Sequence, residues 1–295
     1  MSSRNRSTAF RDYSAVLVIL GVFYTLALVA WLLSGAIFYL VNFVLIGTSI
    51  GLGMGLWPVL TRRRRDRARQ LSQALVGGYL FFGLGVGLIY ILFGVIAPEN
   101  MQIEGFFFWL LAGEFAAAVI HYAVAKIIGP FIFNRGWCGW ACWTAALLDF
   151  LPWKRSSGRL PRGWGHLRYG VFCLSASLVL FSAYLYGVNL KTNFGFVDLT
   201  GKYASMGRTY QDLWLIPELW WFLVGNLLYY RAGIVLAIAL RDNRAFCKYL
   251  CPIIVFLKFG AKFSLLKIKA DPQKCTICGA CEKICPMDIE ITRYM

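Results

Sequence analysis

Acidic residues are scarce in this chain: 14 Asp and Glu stand against 30 Lys and Arg in 295 residues, a formal charge of +16. Charged residues of either sign reach only 15%, whereas a soluble domain carries about 25%. Only two histidines occur, His121 and His166. Just one of them lies in an apolar run, which argues against a bis-histidine b-type haem. No Walker motif, serine triad or Rossmann fingerprint is present. The stretch Gly51-Leu52-Gly53-Met54-Gly55 is apolar and follows no strand, so it suggests close helix packing, not a nucleotide loop. What fills the space is apolar: 59% of residues, with a mean hydropathy of +0.62. That balance implies a bilayer. The positive charge lies in short loops between apolar runs, so topology explains it and no nucleic-acid partner is expected.

A membrane helix needs about 20 mostly apolar residues. Six stretches qualify: about 14–33, 37–60, 74–97, 106–131, 169–188 and 219–240. Ser34-Gly35-Ala36 joins the first two as a tight hairpin. The first run is too long for a signal-peptide core, so it reads as an uncleaved anchor. Arg62, Arg63, Arg64, Arg65, Arg67 and Arg69 separate stretches two and three. Lys154, Arg155, Arg159, Arg162 and Arg168 separate four and five. The connection 98–105 carries Glu99 and Glu104 and no base. Six spans then place both basic loops and both termini on the cytoplasmic side. The expected fold is an all-α, six-helix membrane domain over 1–260 and a small ferredoxin-like segment over 261–295.

Eight of the nine cysteines fall in three clusters. Beside basic loops, that spacing suggests metal ligation more than disulfides. Cys173 stands alone in an apolar run and reads as a packing residue. The tail holds Cys275, Cys278, Cys281 and Cys285-Pro286, the C-x2-C-x2-C-x3-C-P run of bacterial ferredoxins. Thiolates two residues apart can wrap one corner of a 4Fe–4S cubane, with Gly279 supplying backbone freedom. A zinc knuckle is the competing reading, but zinc sites pair their ligands differently. In two-cluster ferredoxins the fourth cysteine serves the other cluster, and no second run occurs in this sequence. Cys285 therefore closes the same cluster, or a cysteine elsewhere does, or a partner subunit completes the pair.

Two further segments match each other. Arg135-Gly136-Trp137-Cys138-Gly139-Trp140-Ala141-Cys142 and Arg244-Ala245-Phe246-Cys247-Lys248-Tyr249-Leu250-Cys251 both read R-x-aromatic-C-x-aromatic-x-C. Each follows an apolar run of the same expected direction, so the pattern is an internal repeat. A duplicated unit would gather four thiols at one membrane face, for a second iron–sulfur cluster or a soft metal such as copper. The plainer alternative is cysteines packed in an aromatic belt with Trp137, Trp140, Trp143 and Trp153.

These C-x3-C pairs with a ferredoxin run resemble the NapH/NosR/CcoG-type membrane ferredoxins over roughly 106–295. Trp143 stands where the family has proline after the first pair, whereas Pro252 follows the second. Asp149 matches the acidic residue usual downstream of the first pair. The second ferredoxin run normal in that family is missing. The resemblance implies a respiratory-chain component of the bacterial inner membrane that passes electrons from quinol to a redox partner within a multi-subunit complex. Its other branches suggest a metal-reducing assembly factor. The single run leaves open a cluster-bearing anchor subunit.

Ionisable groups inside spans are costly and often functional. Glu114 and His121, seven residues apart, would share a face of helix 106–131 as a quinone or proton site. The simpler alternative is hydrogen bonding within the bundle. Arg231 would snorkel or neutralise Glu114.

Overall fold

The computed structural model describes residues 6–61, 64–94, 98, 100–112, 117–153, 162–186, 217–266 and parts of the tail: 272–273, 275–279, 281, 285 and 287. Helices and turns account for their regular structure, and no strand occurs among them. The chain forms two units, residues 1–81 with 138–146 and residues 82–137 with 147–295.

In the first unit, helices α1 (Arg6–Ser34) and α2 (Ile37–Leu56) are separated by Gly35, whose φ of 69° permits the abrupt reversal. The Ser34 hydroxyl closes this turn, donating to the Ala30 carbonyl at 2.6 Å and accepting from the Ala36 amide at 3.2 Å. The glycines of α2 let neighbours approach closely. A Cβ on Gly51 would lie 2.7 Å from Leu20 of α1, and one on Gly53 would lie 2.6 Å from Ser72 of α3 (Arg65–Gly78). The glycine-rich stretch thus serves helix packing on two sides.

Among the described residues, three helical segments are long and apolar enough to cross a membrane: Tyr13–Ser34, Ile37–Leu56 and Leu219–Leu240. Their exposed faces carry leucines such as Leu17, Leu32, Leu33, Leu227 and Leu228, surface that suits lipid better than water. Leu167–Tyr186, here α10, is a further 20-residue helix over most of the expected fifth stretch.

The expected third span, 74–97, is not one regular helix. Helix α3 ends at Gly78 and continues as a π-helical turn over Tyr79–Gly85. A short helix, α4 (Leu88–Phe93), then sits between Gly87 and Gly94, both left-handed with φ of 88° and 65°. Glycine makes these reversals inexpensive, and they divide the apolar run.

The expected fourth span also differs. Helix α5 (Ile103–Ala112) packs against α6 (Ala117–Tyr122), which runs through a π-helical turn (Ala123–Ile128) into α7 (Gly129–Phe133). Phe106 stacks on Tyr122 at 4.4 Å, and Lys126 Nζ donates to the Met101 carbonyl at 3.1 Å. In one straight helix residues 16 apart would be separated by about 24 Å. The segments on either side of 113–116 are therefore two packed pieces. The connection 98–105, which carries no basic residue, buries Asn100, Met101, Gln102 and Ile103. The chain continues through α8 (Gly136–Trp140), α9 (Trp143–Asp149), α10, α11 (Pro217–Leu240), α12 (Ala245–Tyr249) and α13 (Ile254–Lys262).

Candidate metal centre

The repeat seen in sequence is also a repeat of backbone structure. Helices α8 and α12 are each five residues long, begin two residues before the first cysteine of a pair and end two residues before the second. Each C-x3-C therefore brackets one helical turn. Cys138 and Cys142 belong to the first unit, whereas Cys247 and Cys251 belong to the second. Among the described residues, which include all nine cysteines, none forms a disulfide.

In the first unit, α3 holds the Cys138 segment by its backbone. Gln73 Nε2 donates to the Cys138 carbonyl at 3.1 Å, and Ser72 Oγ donates to the Trp140 carbonyl at 2.8 Å. Trp140 lies against Trp57 at 5.8 Å, and a Cβ on Gly77 would come within 2.9 Å of the Trp143 backbone. Trp143, which replaces the expected proline, is buried in this contact.

The second pair sits in a different setting, among cations already joined to carboxylates. Arg244 makes a bidentate ion pair with Asp149, with both contacts at 2.7 Å and the two side chains 5% and 7% exposed. Lys248 Nζ pairs with Asp242 Oδ2 at 2.5 Å. The other carboxylate oxygen of Asp242 accepts the Arg244 amide at 2.9 Å, which fixes the start of α12. Arg244 Nη1 also reaches Cys247 Sγ at 4.0 Å. Arg168 donates to the carbonyls of Gly165 and Lys248. Burial lowers the Arg168 pKa from its usual value, and nearby Arg135 lowers it further. Positive charge of this kind stabilises thiolates and the net negative charge of a sulfur-ligated centre.

In the tail, Ile277 and Gly279 both adopt positive φ, 53° and 67°. That loop directs the Ile277 amide to Cys275 Sγ at 3.4 Å, and the Cys285 amide donates to the Cys281 carbonyl at 3.1 Å. Cys278 and Cys281 are exposed. Among the described residues no three His, Cys, Asp or Glu side chains converge as a metal site, in the tail or elsewhere. A donor set of four thiols, an amide hydrogen-bonded to sulfur and a turn that needs left-handed residues fit a cubane that draws the loop around itself.

Glu114 lies outside the described residues. His121 is buried on α6. Arg231 is exposed on α11. Among the described residues, buried charges not anticipated from sequence include Lys126, Asp242 and Lys248, and Glu104 is half-buried. Lys126 carried a readable signal, since it is a charge inside an apolar run. Glu104 carried none, because its surroundings looked like a polar connection.

A family described as a 4Fe-4S binding domain matches residues 115–162 and 231–270. Each matched segment contains one C-x3-C pair, and the match stops before Cys275. An uncharacterized protein of Methanocaldococcus jannaschii is 28% identical over 206 residues, covering 67% of this chain and 70% of that protein. A putative electron transport protein of Escherichia coli K12, YccM, is 25% identical over 185 residues, covering 61% of this chain. The chain spans about half of YccM, 49% of its length. No solved structure matches the chain. Two segments of the chain are thus similar to a 4Fe-4S binding domain, and each holds one copy of the repeated cysteine pair.

Proposed function

We propose that the protein is a membrane-bound electron carrier that passes electrons through a 4Fe–4S cluster between the quinol pool and a redox partner protein. The observation that carries this reading is the position of the 4Fe-4S binding-domain match, which falls on both copies of the helix-plus-C-x3-C unit. The similarity to a putative electron transport protein supports the same direction. In this reading the C-x3-C pairs, Cys138 with Cys142 and Cys247 with Cys251, are candidate cluster ligands, and Cys275, Cys278, Cys281 and Cys285 are those of the tail. A bound cluster supplies one-electron relay. Around it Arg244 and Lys248 offset charge beside the second pair, while the Ile277 amide hydrogen-bonds sulfur in the tail. The exposed Cys278 and Cys281 suit the edge from which electrons leave for a partner in a larger complex. Both termini then face the cytoplasm of a bacterial inner membrane, with the basic loops on the same side.

Iron and acid-labile sulfide in the purified full chain test this reading, together with reduction by a quinol. Iron should fall in Cys138→Ser and Cys247→Ser, and separately in Cys278→Ser. Protein without iron, or iron that a quinol leaves oxidised, would end it. The exposure of Cys278 and Cys281 also suits a second reading, a cluster-bearing anchor. Quinol-inert iron that a co-purifying subunit reduces would select that reading.

A further inference from the structure

Helix α13 commits one face to the rest of the second unit and turns the other outward. Ile254, Leu257 and Gly260 are buried, and a Cβ on Gly260 would lie 2.7 Å from Pro130 of α7. Phe256 meets Phe172 of α10 edge-on, with ring centroids 5.4 Å apart. Lys258, Phe259, Lys262 and Phe263 are all exposed. At 3.6 residues per turn they fill one sector of about 140°, lysines along one edge and phenylalanines along the other. Phe259 is 67% exposed and Phe263 56%.

The apolar surface continues past the helix, and it is held in place. The Leu265 and Leu266 amides donate to the Phe131 and Ile132 carbonyls at 2.8 and 2.9 Å. Asn134 Nδ2 donates to Ser264 Oγ at 3.1 Å. Phe131 lies 6.1 Å from Phe259 and 6.5 Å from Phe263, ring to ring. Leu265 is nevertheless 80% exposed. Large apolar side chains fixed outward in this way mark a contact surface.

Lys258 shows where that surface lies. Its Nζ donates to the Tyr169 hydroxyl at 3.2 Å, in the first turn of the apolar 20-residue helix α10. Exposed Trp164 and Leu167 stand at the same end. Lysine, tyrosine and tryptophan at the end of an apolar helix favour the headgroup layer of a bilayer. Nine residues of helix reach about 13 Å, less than half a hydrocarbon core, so α13 is too short to cross one. No acidic residue occurs between Asp242 and Asp271, so the exposed charge of this stretch is positive and complements an anionic surface.

We propose that α13 is an interfacial helix that binds anionic phospholipid. Phe259, Phe263 and Leu265 enter the acyl-chain boundary, while Lys258 and Lys262 hold the headgroup phosphate. Bound lipid then fixes the level at which the chain leaves the membrane for the cysteine run that begins at Cys275. The proposal rests on the membrane placement in the reading above and not on its iron.

Photo-crosslinking and native mass spectrometry of the full chain test it. A benzophenone side chain at position 259, illuminated in membranes, should give adducts with the mass of a phospholipid. Phosphatidylglycerol should bind the detergent-solubilised chain more tightly than phosphatidylcholine with the same acyl chains. That preference should fall about fivefold for each lysine lost in Lys258→Gln and Lys262→Gln. Lys258→Arg with Lys262→Arg should keep it. If the double glutamine variant does not fold, Lys262→Gln alone and the adduct at position 259 decide. An adduct only with a second copy of the chain or with another protein overturns the proposal. A preference that the glutamine variants leave unchanged does the same, and both results leave the electron-transfer reading standing. Protein without iron that keeps the lipid preference ends that reading and supports this proposal. A chain that alkali washes from the membrane overturns both.

Discussion

Arg244 and Asp149 form a bidentate ion pair that is almost fully buried. It ties the residue three positions before Cys247 to the end of the helix that follows Cys142. Planar guanidinium and carboxylate groups meet here at two matched distances, which a lysine cannot reproduce. Arg135 holds the position equivalent to Arg244 in the first repeat, but the position equivalent to Asp149 in the second is Lys258. The two halves of the duplication are therefore chemically unequal.

Removing one member of this pair should be costly. Asp149→Ala leaves a buried guanidinium without its counter-charge, and such losses cost about 3–5 kcal/mol. Arg244→Lys keeps the charge but gives up one arm of the fork, so its cost should be clearly smaller. Denaturation of the detergent-solubilised protein would rank the two. Equal stability for Asp149→Ala and the natural protein would remove the pair from any structural role.

Lys248 and Asp242 make the same test from the other side of α12. Lys248→Met leaves Asp242 buried with only the Arg244 amide to satisfy it, and the expected loss is again about 3–5 kcal/mol. The double variant Lys248→Met/Asp242→Leu should recover much of that loss, because a paired apolar replacement removes both desolvated charges. A double variant no better than the single one would show that Asp242 matters more as the acceptor at the start of α12.

Gly105 and Gly279 should respond to substitution for different reasons. A Cβ on Gly105 would lie 1.9 Å from the Asn100 carbonyl oxygen, so Gly105→Ala must displace the buried 100–104 segment. Overpacking of this kind costs about 1–3 kcal/mol and should lower the unfolding midpoint. A Cβ on Gly279 would meet nothing within 4 Å, but the φ there is +67°. Gly279→Val should therefore leave global stability unchanged while reducing tail iron, since only the left-handed turn is strained, by about 1–2 kcal/mol. Iron analysis and thermal unfolding of both variants separate the two mechanisms.

The cysteine sets should also separate in iron stoichiometry. Cys275→Ser combined with Cys278→Ser should remove iron from the tail alone, and Cys247→Ser combined with Cys251→Ser from the repeat alone. Additive losses would agree with two stations. A complete loss from either double variant would reduce them to one.

Local spacing made much of this protein legible. The C-x3-C duplication was readable because α8 and α12 are each a single turn set by adjacent residues. The tail run was readable because its four cysteines fall at short, regular spacing along the chain. Helices α1, α2 and α11 followed from apolar length alone, since spanning a bilayer depends on composition over about 20 residues. Long-range packing decided the rest. Whether 106–131 was one helix or two packed pieces depended on Phe106 meeting Tyr122, and whether Glu104 faced water depended on Ser175 and Tyr229 closing over it. Those partners lie up to 125 residues away in sequence. Hydropathy averages over neighbours along the chain, whereas a buried carboxylate is defined by neighbours in space.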